Sequence, residues 1–442
     1  MKQKSNTFSK VGFILATAGS AVGLGNVIRF PFVMGENGGG AFFAIYMLSI
    51  VFMGASMMLT EMLLGYSGQA APAGTFEKLA TKGNAIWKNI GWGISTFSNI
   101  IFSYYVILLA WIVAYVWLSM SSSLPHNVAD AEKIFTSVRG DMLSTFIFAG
   151  VIFIASFYVV SKGVTNGIEK LNLVLMPAIL LIFSGMLIYS FTLDGFSQAV
   201  VFMFHVDFSK ITAHVVIAAV GMSFFTLSLG TGIVLAYSAA LPKDVNFVRS
   251  IGYIVVLDTS IAIVSGLMIF SFLFTYGGDP SAGFGLVFIT LSTVFAQLGV
   301  WGDVLGVAFF ISLLFAGITS SVSMIEPMLK TIHIRFHVSR TKAAWILALP
   351  TAMLSSSVVL SFGGYLGDGT LLDKLDFVLS NVLLPFGALM TTLFLGWFMN
   401  KSTVAETLNK QLGYFFVLWY SIVKYIAPVA LIIVLLSLIG LI

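Results

Sequence analysis

No charged residue interrupts the chain between Val11 and Ile28, a stretch long enough to form most of a membrane-spanning helix. Its middle reads Ala18-Gly19-Ser20-Ala21-Val22-Gly23-Leu24-Gly25-Asn26, with Arg29-Phe30-Pro31 just behind. A glycine inside a helix costs about 1 kcal/mol relative to alanine, so a span that only crossed lipid would carry Leu or Ile there. Glycine lets the backbone leave helical geometry and approach a ligand closely. Unwound backbone at membrane depth survives only where protein buries it or it lines a cavity. Its freed carbonyls then hold a cation, and the N-terminus of the following half-helix holds an anion. The competing reading is close helix packing through small residues. The rest of the chain decides between them.

Only 9% of the 442 residues are charged and 58% are hydrophobic, with a mean hydropathy of +1.01. Soluble domains carry roughly 25% charged residues, so this is a polytopic membrane protein. The net charge of +4 lies in short loops and gives no reason to expect nucleic acid. The absence of cysteine excludes disulfides, thiolate metal sites and cysteine nucleophiles. The start, Met1-Lys2-Gln3-Lys4, resembles the basic end of a signal peptide. Cleavage near Ala18–Ala21 would discard half of the first span, so that span is read as retained.

Eleven spans are expected. They run Val11–Met34, Ala41–Gly65, within Asn89–Ala129, Met142–Ser161, Leu171–Leu193, within Ile211–Pro242, Ser250–Gly277, Val304–Leu329, Ala343–Phe362, Phe377–Asn400 and Trp419–Leu441. Pro280–Gly302 is apolar but too broken to cross, and reads as a partly buried re-entrant or cap segment. Sixteen basic residues, among them Lys2, Lys4, Lys10, Lys162, Lys243, Arg340 and Lys342, fall in loops on one side, against four on the other (Lys133, Arg139, Lys210, Lys374). That asymmetry puts the N-terminus in the cytoplasm and, with an odd span count, the C-terminus outside.

The sixth span repeats the oddity of the first: Phe224-Phe225-Thr226-Leu227-Ser228-Leu229-Gly230-Thr231-Gly232. Two interrupted spans of opposite orientation, five spans apart, are the mark of an inverted-repeat transporter, and they turn the argument against packing alone. The first repeat then covers residues 1–193, the second 211–400, and residues 411–442 add an extra span. Hydroxyls cluster at Thr319, Ser320, Ser321 and Ser323. They read either as helix-internal hydrogen bonds or, beside two broken helices, as oxygen ligands for a hard cation.

Each ionisable residue inside a span needs a reason. Glu61 suits a structural carboxylate that caps freed backbone amides. Glu326, just before Pro327 at the inner end of its span, suits a solvated or structural role. Asp258 lies eight residues into its span with no basic neighbour. Arg29, beyond the first break, calls for an acidic partner.

The run Ala18–Pro31, with Glu36-Asn37-Gly38-Gly39-Gly40-Ala41-Phe42, closely resembles the neurotransmitter:sodium symporter family, whose bacterial members include a leucine transporter. Phe224–Gly232, Phe315-Ala316-Gly317-Ile318-Thr319-Ser320-Ser321 and Leu372-Asp373-Lys374-Leu375-Asp376-Phe377 resemble its sixth, eighth and tenth spans. The resemblance implies an all-α fold of eleven spans, with a 5+5 inverted repeat and helices one and six broken. It implies two Na+ sites, one from Ala21, Asn26, Thr226 and Asp258, the other from Gly19, Val22, Ala316, Thr319 and Ser320. It implies a substrate carboxylate on the Leu24 and Gly25 amides and the Tyr105 hydroxyl, with a side-chain pocket of Ile101, Phe225, Ser228, Thr231, Ser321 and Met324. Arg29 and Asp376 resemble its outer gate, with Phe284 closing over the substrate. Two departures stand out: Thr7-Phe8 replaces a Trp, and the inner Arg–Asp gate is missing, Lys4 being the nearest cation.

The expectation is therefore a bacterial inner-membrane, sodium-coupled amino-acid symporter working by alternating access, with the lipid bilayer, substrate and sodium as its partners. A proton-coupled amino-acid permease of similar build, using Glu61 or Asp258, is the alternative. An enzyme is disfavoured, because no His/Ser/Asp set converges and the five histidines lie in loops or near span ends. Amine-transporting relatives carry Asp where this chain has Gly23, so the substrate must bring its own carboxylate. Few polar groups line the pocket, so the side chain should be apolar or aromatic. Chloride-dependent relatives have Asn and Ser where this chain has Asp258 and Ala262, so a fixed carboxylate replaces the anion and no chloride is required. The competing reading keeps Asp258 protonated and hydrogen-bonded across helices.

Overall fold

The computed structural model describes residues 7–242, 244–280, 285–367 and 369–441. Lys2, Lys4, Lys243 and Phe284 lie outside the described residues. Within them the chain is helical, with no strand. Nine helices are long and apolar enough to cross a membrane, or ten if Lys10–Ala21 (α1) and Gly25–Glu36 (α2), bent by 50° at their break, form one span. The others, in order, are Gly40–Gly68 (α3), Asn84–Met120 (α4), Met142–Ser161 (α5), Val164–Ser190 (α6), Phe247–Tyr276 (α9), Val300–Arg335 (α10), Arg340–Phe362 (α11), Leu371–Phe398 (α12) and Phe415–Leu438 (α13). The expected sixth span is divided into Ala213–Thr226 (α7) and Ile233–Ser238 (α8), each too short to cross alone. Among its described residues the re-entrant segment holds a short apolar helix, Leu286–Gln297, and the first turn of α10.

Helices α4 and α10 form the central pair. At 1.5 Å per residue, their 37 and 36 residues reach about 55 Å, well beyond a ~30 Å hydrocarbon core, so they tilt and extend past it. Helix α1 packs on α6, α9 and α10, while both halves of the sixth span pack on α3. Residues 22–23 and 227–232 are thus unwound inside a jacket of helices.

Helix α1 begins at a side-chain cap, Ser9, whose oxygen accepts from the Gly12 N–H. Glu169 accepts in turn from the Ser9 hydroxyl and backbone N–H. Phe8 fills the place of the expected Trp: it is buried, and its ring meets Tyr237 edge-on at 5.3 Å.

Of the two roles open to Glu326, solvated or structural, the structural one holds. It is fully buried rather than solvated, and both its oxygens accept from the Arg340 guanidinium, one at 3.0 Å. A carboxylate with no exposure must be paired, and the partner comes from the first turn of α11. Arg340 also donates to the Val160 carbonyl at 2.9 Å, tying α5, α10 and α11 together at one corner.

Candidate functional site

Both breaks open on one cavity at the centre of the bundle. Leu24, Gly25, Ile101, Tyr105, Phe225, Ser228, Thr231 and Met324 line it, with Arg29 and Asp376 also on its wall. Of the expected pocket residues, Ser321 is absent from the lining. It is buried, and its hydroxyl donates to the Gly317 carbonyl at 2.8 Å. One residue past Ser320 is a turn of about 100° around the helix, which swings Ser321 off the cavity face.

The second break keeps its shape through specific bonds. Ser228 adopts a left-handed conformation (φ 53°), a strained choice for a residue with a side chain. Its hydroxyl donates to the Ser20 carbonyl at 2.8 Å, joining the two broken spans. Gly230, at φ 79°, has no room for a side chain: a Cβ would stand 2.3 Å from the Leu384 carbonyl oxygen. Its freed N–H donates to Glu61 at 2.7 Å. The buried Glu61 thus caps an unwound amide in the membrane interior, where no water could.

A cluster of oxygens sits beside the first break. Asn26, Thr226 and Asp258 are all buried. The Asn26 amide donates to an Asp258 carboxylate oxygen at 2.8 Å, and the Thr226 hydroxyl lies 3.1 Å from the other. The Asn26 carbonyl oxygen Oδ1 is buried without a hydrogen-bond partner. A lone buried acceptor beside a carboxylate suits a hard cation, which takes oxygen ligands from carboxylate, amide and hydroxyl. Ala21, the last residue of α1, borders the same cavity.

A second group of oxygens lies between α1 and α10. The Ser320 hydroxyl is 3.3 Å from the Gly19 carbonyl and 3.5 Å from that of Val22, the long end of hydrogen bonding. Thr319 donates to the Ala316 carbonyl at 2.8 Å, so the expected five residues gather here. Of the four clustered hydroxyls, Thr319, Ser321 and Ser323 donate back to their own helix, and Ser320 alone crosses to α1.

At the first break the Leu24 N–H donates to the Tyr105 hydroxyl at 3.3 Å. Helix α2 begins at Gly25, its N-terminus at the cavity, where a helix dipole favours an anionic group. A Cβ on Gly23 would stand 2.6 Å from the Ser320 hydroxyl and 3.2 Å from that of Tyr105, so a side chain there must displace the Ser320 hydroxyl.

Arg29 and Asp376 both border the cavity without forming an ion pair. The guanidinium lies over the Phe225 ring, 4.1 Å from its centroid. Asp376 accepts from Tyr104 and Ser380 instead, each at 2.9 Å. Sequence reasoning missed Tyr104, Leu108 and Ser380, all part of the lining. Tyr104 adjoins Tyr105, and Ser380 lies one helical turn after Asp376, so spacing alone could have found both. It also missed Arg340, whose partner Glu326 was in view.

A family model described as the sodium:neurotransmitter symporter family matches residues 4–142 and 142–441. The uncharacterized sodium-dependent transporter YhdH of Bacillus subtilis is 35% identical, over 98% of this chain and 97% of its own. The sodium-dependent dopamine transporter of Bos taurus is 26% identical over 93% of this chain and 65% of its own. The crystal structure of MhsT in complex with L-phenylalanine superposes with a TM-score of 0.87 at 35% identity, covering 97% of this chain and 98% of that one.

Proposed function

The chain belongs to the sodium:neurotransmitter symporter family, as a multi-pass sodium-dependent transporter, and on that premise we propose that it carries a neutral, apolar or aromatic amino acid with sodium by alternating access. The observation that carries the reading is the shared cavity: a half-helix N-terminus at Gly25 stands beside the buried Asn26–Thr226–Asp258 oxygens. The substrate carboxylate meets the Leu24 and Gly25 amides and Tyr105, while sodium ions take the two oxygen groups. The side chain lies among Ile101, Phe225, Met324 and Thr231. That MhsT was solved with L-phenylalanine supports an apolar or aromatic side chain.

Gly23 supports a carboxylate on the substrate itself, because the protein has no acid at that point and a side chain there would have to displace the Ser320 hydroxyl. Asp258 supports chloride independence. Two sodium ions and a zwitterion bring two net positive charges together, and unit charges a few Å apart repel by about 4 kcal/mol even at an effective dielectric of 20. A resident carboxylate offsets one of them. In this reading the N-terminus is cytoplasmic, residues 1–193 and 211–400 are inverted repeats, and the chain works in a bacterial inner membrane. Glu61 serves the fold, given its bond to Gly230, rather than carrying a proton.

Equilibrium binding to the purified protein tests the substrate class, with L-phenylalanine and L-leucine set against their decarboxylated amines, each with sodium or potassium. Sodium-dependent binding of the amino acids alone is expected. Tight binding of an amine without its parent amino acid would overturn the proposal.

A further inference from the structure

Outside the central cavity, one open groove lies between the basic ends of α5 and α11. It is a groove of about 300 Å³ whose lining includes Phe153 and Phe157 from α5 and Ala344 and Ala348 from α11. The small residues at 344 and 348, one turn apart, leave the helix surface low where a larger side chain would fill the groove. Tyr158 and Trp345 border it, both largely exposed, as aromatics are where a bilayer meets water. An acyl chain fits such a channel, being apolar along its length and open at the side.

The end of the groove has a different chemistry. Ser161, Lys162 and Thr341 close it, with Lys342 the next residue along. The Lys162 ammonium rests over the Tyr158 ring, 4.6 Å from its centroid, which holds it at the groove mouth. Among the described residues neither Lys162 nor Lys342 forms an ion pair, and neither α5 nor α11 contains an Asp or Glu. Arg340, the third base of this corner, is committed to Glu326 and the Val160 carbonyl. The Lys162 ammonium is therefore uncompensated where an apolar channel ends. With the cytoplasmic side placed as in the proposed function, we propose that this groove binds an anionic phospholipid of the inner leaflet, its acyl chain between α5 and α11 and its phosphate at Lys162 and the Thr341 hydroxyl. Basic pockets between helix ends on this side of a membrane have the charge and depth for such a headgroup.

The bound lipid would also brace the corner where Arg340 joins α5, α10 and α11. Its test compares phosphatidylglycerol with phosphatidylcholine of identical chains, added to the full-length protein in detergent. Lipid retained is counted by native mass spectrometry, and the thermal midpoint is read in parallel. The wild type should retain phosphatidylglycerol preferentially and unfold at higher temperature with it. Lys162→Gln should cut that preference roughly fivefold, the effect of one basic residue near an anionic headgroup. Ala348→Phe, which fills the channel, should lose both lipids while keeping sodium-dependent amino-acid binding, which reports that the fold is intact. Equal retention of the two lipids by the wild type would overturn the proposal, as would an unchanged preference in Lys162→Gln. So would stabilisation by inorganic phosphate alone, or a dimer that Ala348→Phe breaks, since then a second copy covers the groove.

Discussion

Asn26 and Asp258 stand 232 positions apart in the sequence, yet the Asn26 amide donates to the Asp258 carboxylate at 2.8 Å in the middle of the bundle. The bond turns the Asn26 carbonyl oxygen away from Asp258 and leaves it buried with no partner. One unwound span and one intact span thereby share a pair of acceptors suited to a cation. Most of the proposed chemistry descends from that contact.

The charge of Asp258 makes the first prediction. Asp258→Asn combined with Ala262→Ser removes the fixed carboxylate and restores the two polar side chains of chloride-dependent relatives. Uptake by this double variant should fall when chloride is replaced by gluconate and recover when chloride returns. Uptake indifferent to chloride would mean that Asp258 does not stand in for the anion.

The group between α1 and α10 gives the second. Thr319→Ala and Ser320→Ala each remove one of about five oxygens from the proposed second sodium site. If one ligand contributes ~1.4 kcal/mol, half-saturation by sodium shifts roughly tenfold. The helix should remain stable, since alanine is a better helix former than either residue. Unchanged sodium dependence in both variants would show that the ion binds elsewhere.

Gly23 gives the third. Gly23→Ala introduces a Cβ 2.6 Å from the Ser320 hydroxyl. Substrate affinity should drop at least tenfold while the thermal midpoint moves little, because the atom that must give way is the end of a short side chain and not backbone. Wild-type affinity in this variant would mean that the first break does not hold the substrate.

The buried pair at the inner corner gives the fourth. Arg340→Ala leaves Glu326 without its partner, and breaking such a pair costs about 3–5 kcal/mol. Pairing it with Glu326→Gln should restore much of the loss, because no buried charge is then left over. Thermal unfolding in detergent reads both, and a double variant no more stable than Arg340→Ala alone would contradict this account.

Asp141 gives a pH dependence outside the spans. It caps α5, accepting from the Ser144 N–H at 3.1 Å, and its hydrogen bonds to Ser144 hold the carboxyl below its ordinary value. A carboxylate lowered on folding stabilises above its unfolded pKa of about 3.9, and that contribution is lost as pH falls through the folded value. Asp141→Ala should cost about 1 kcal/mol near neutrality. Its difference from wild type should shrink as pH drops below about 4, as thermal midpoints measured across pH would report; a difference that grows with acidity would contradict it.

Much of this architecture is legible in the sequence because a bilayer imposes severe rules on it. Charge-free runs of helical length name the spans, and glycines inside two of them name the breaks. Asp258 and Glu61 stood out because an acid at membrane depth needs a reason to be there. Three features escaped. Ser321 was assigned to the pocket by motif, while its direction follows from helix phase, which spacing fixes only once the face of α10 is known. The partner of Glu326 lies on another helix, and no local pattern points to Arg340. Arg29 and Asp376 resemble a gate pair, and the partners each has here, Tyr104 and Ser380 for the acid and Phe225 for the cation, follow from packing at the cavity rim.

Sodium-driven uptake into proteoliposomes tests the central claim most directly. Labelled L-phenylalanine is offered outside, with an inward gradient of sodium or of potassium, and with chloride or gluconate as the anion. The account predicts concentrative uptake with sodium under both anions and none with potassium. Uptake that persists without sodium under a proton gradient, or that vanishes in gluconate, would contradict it.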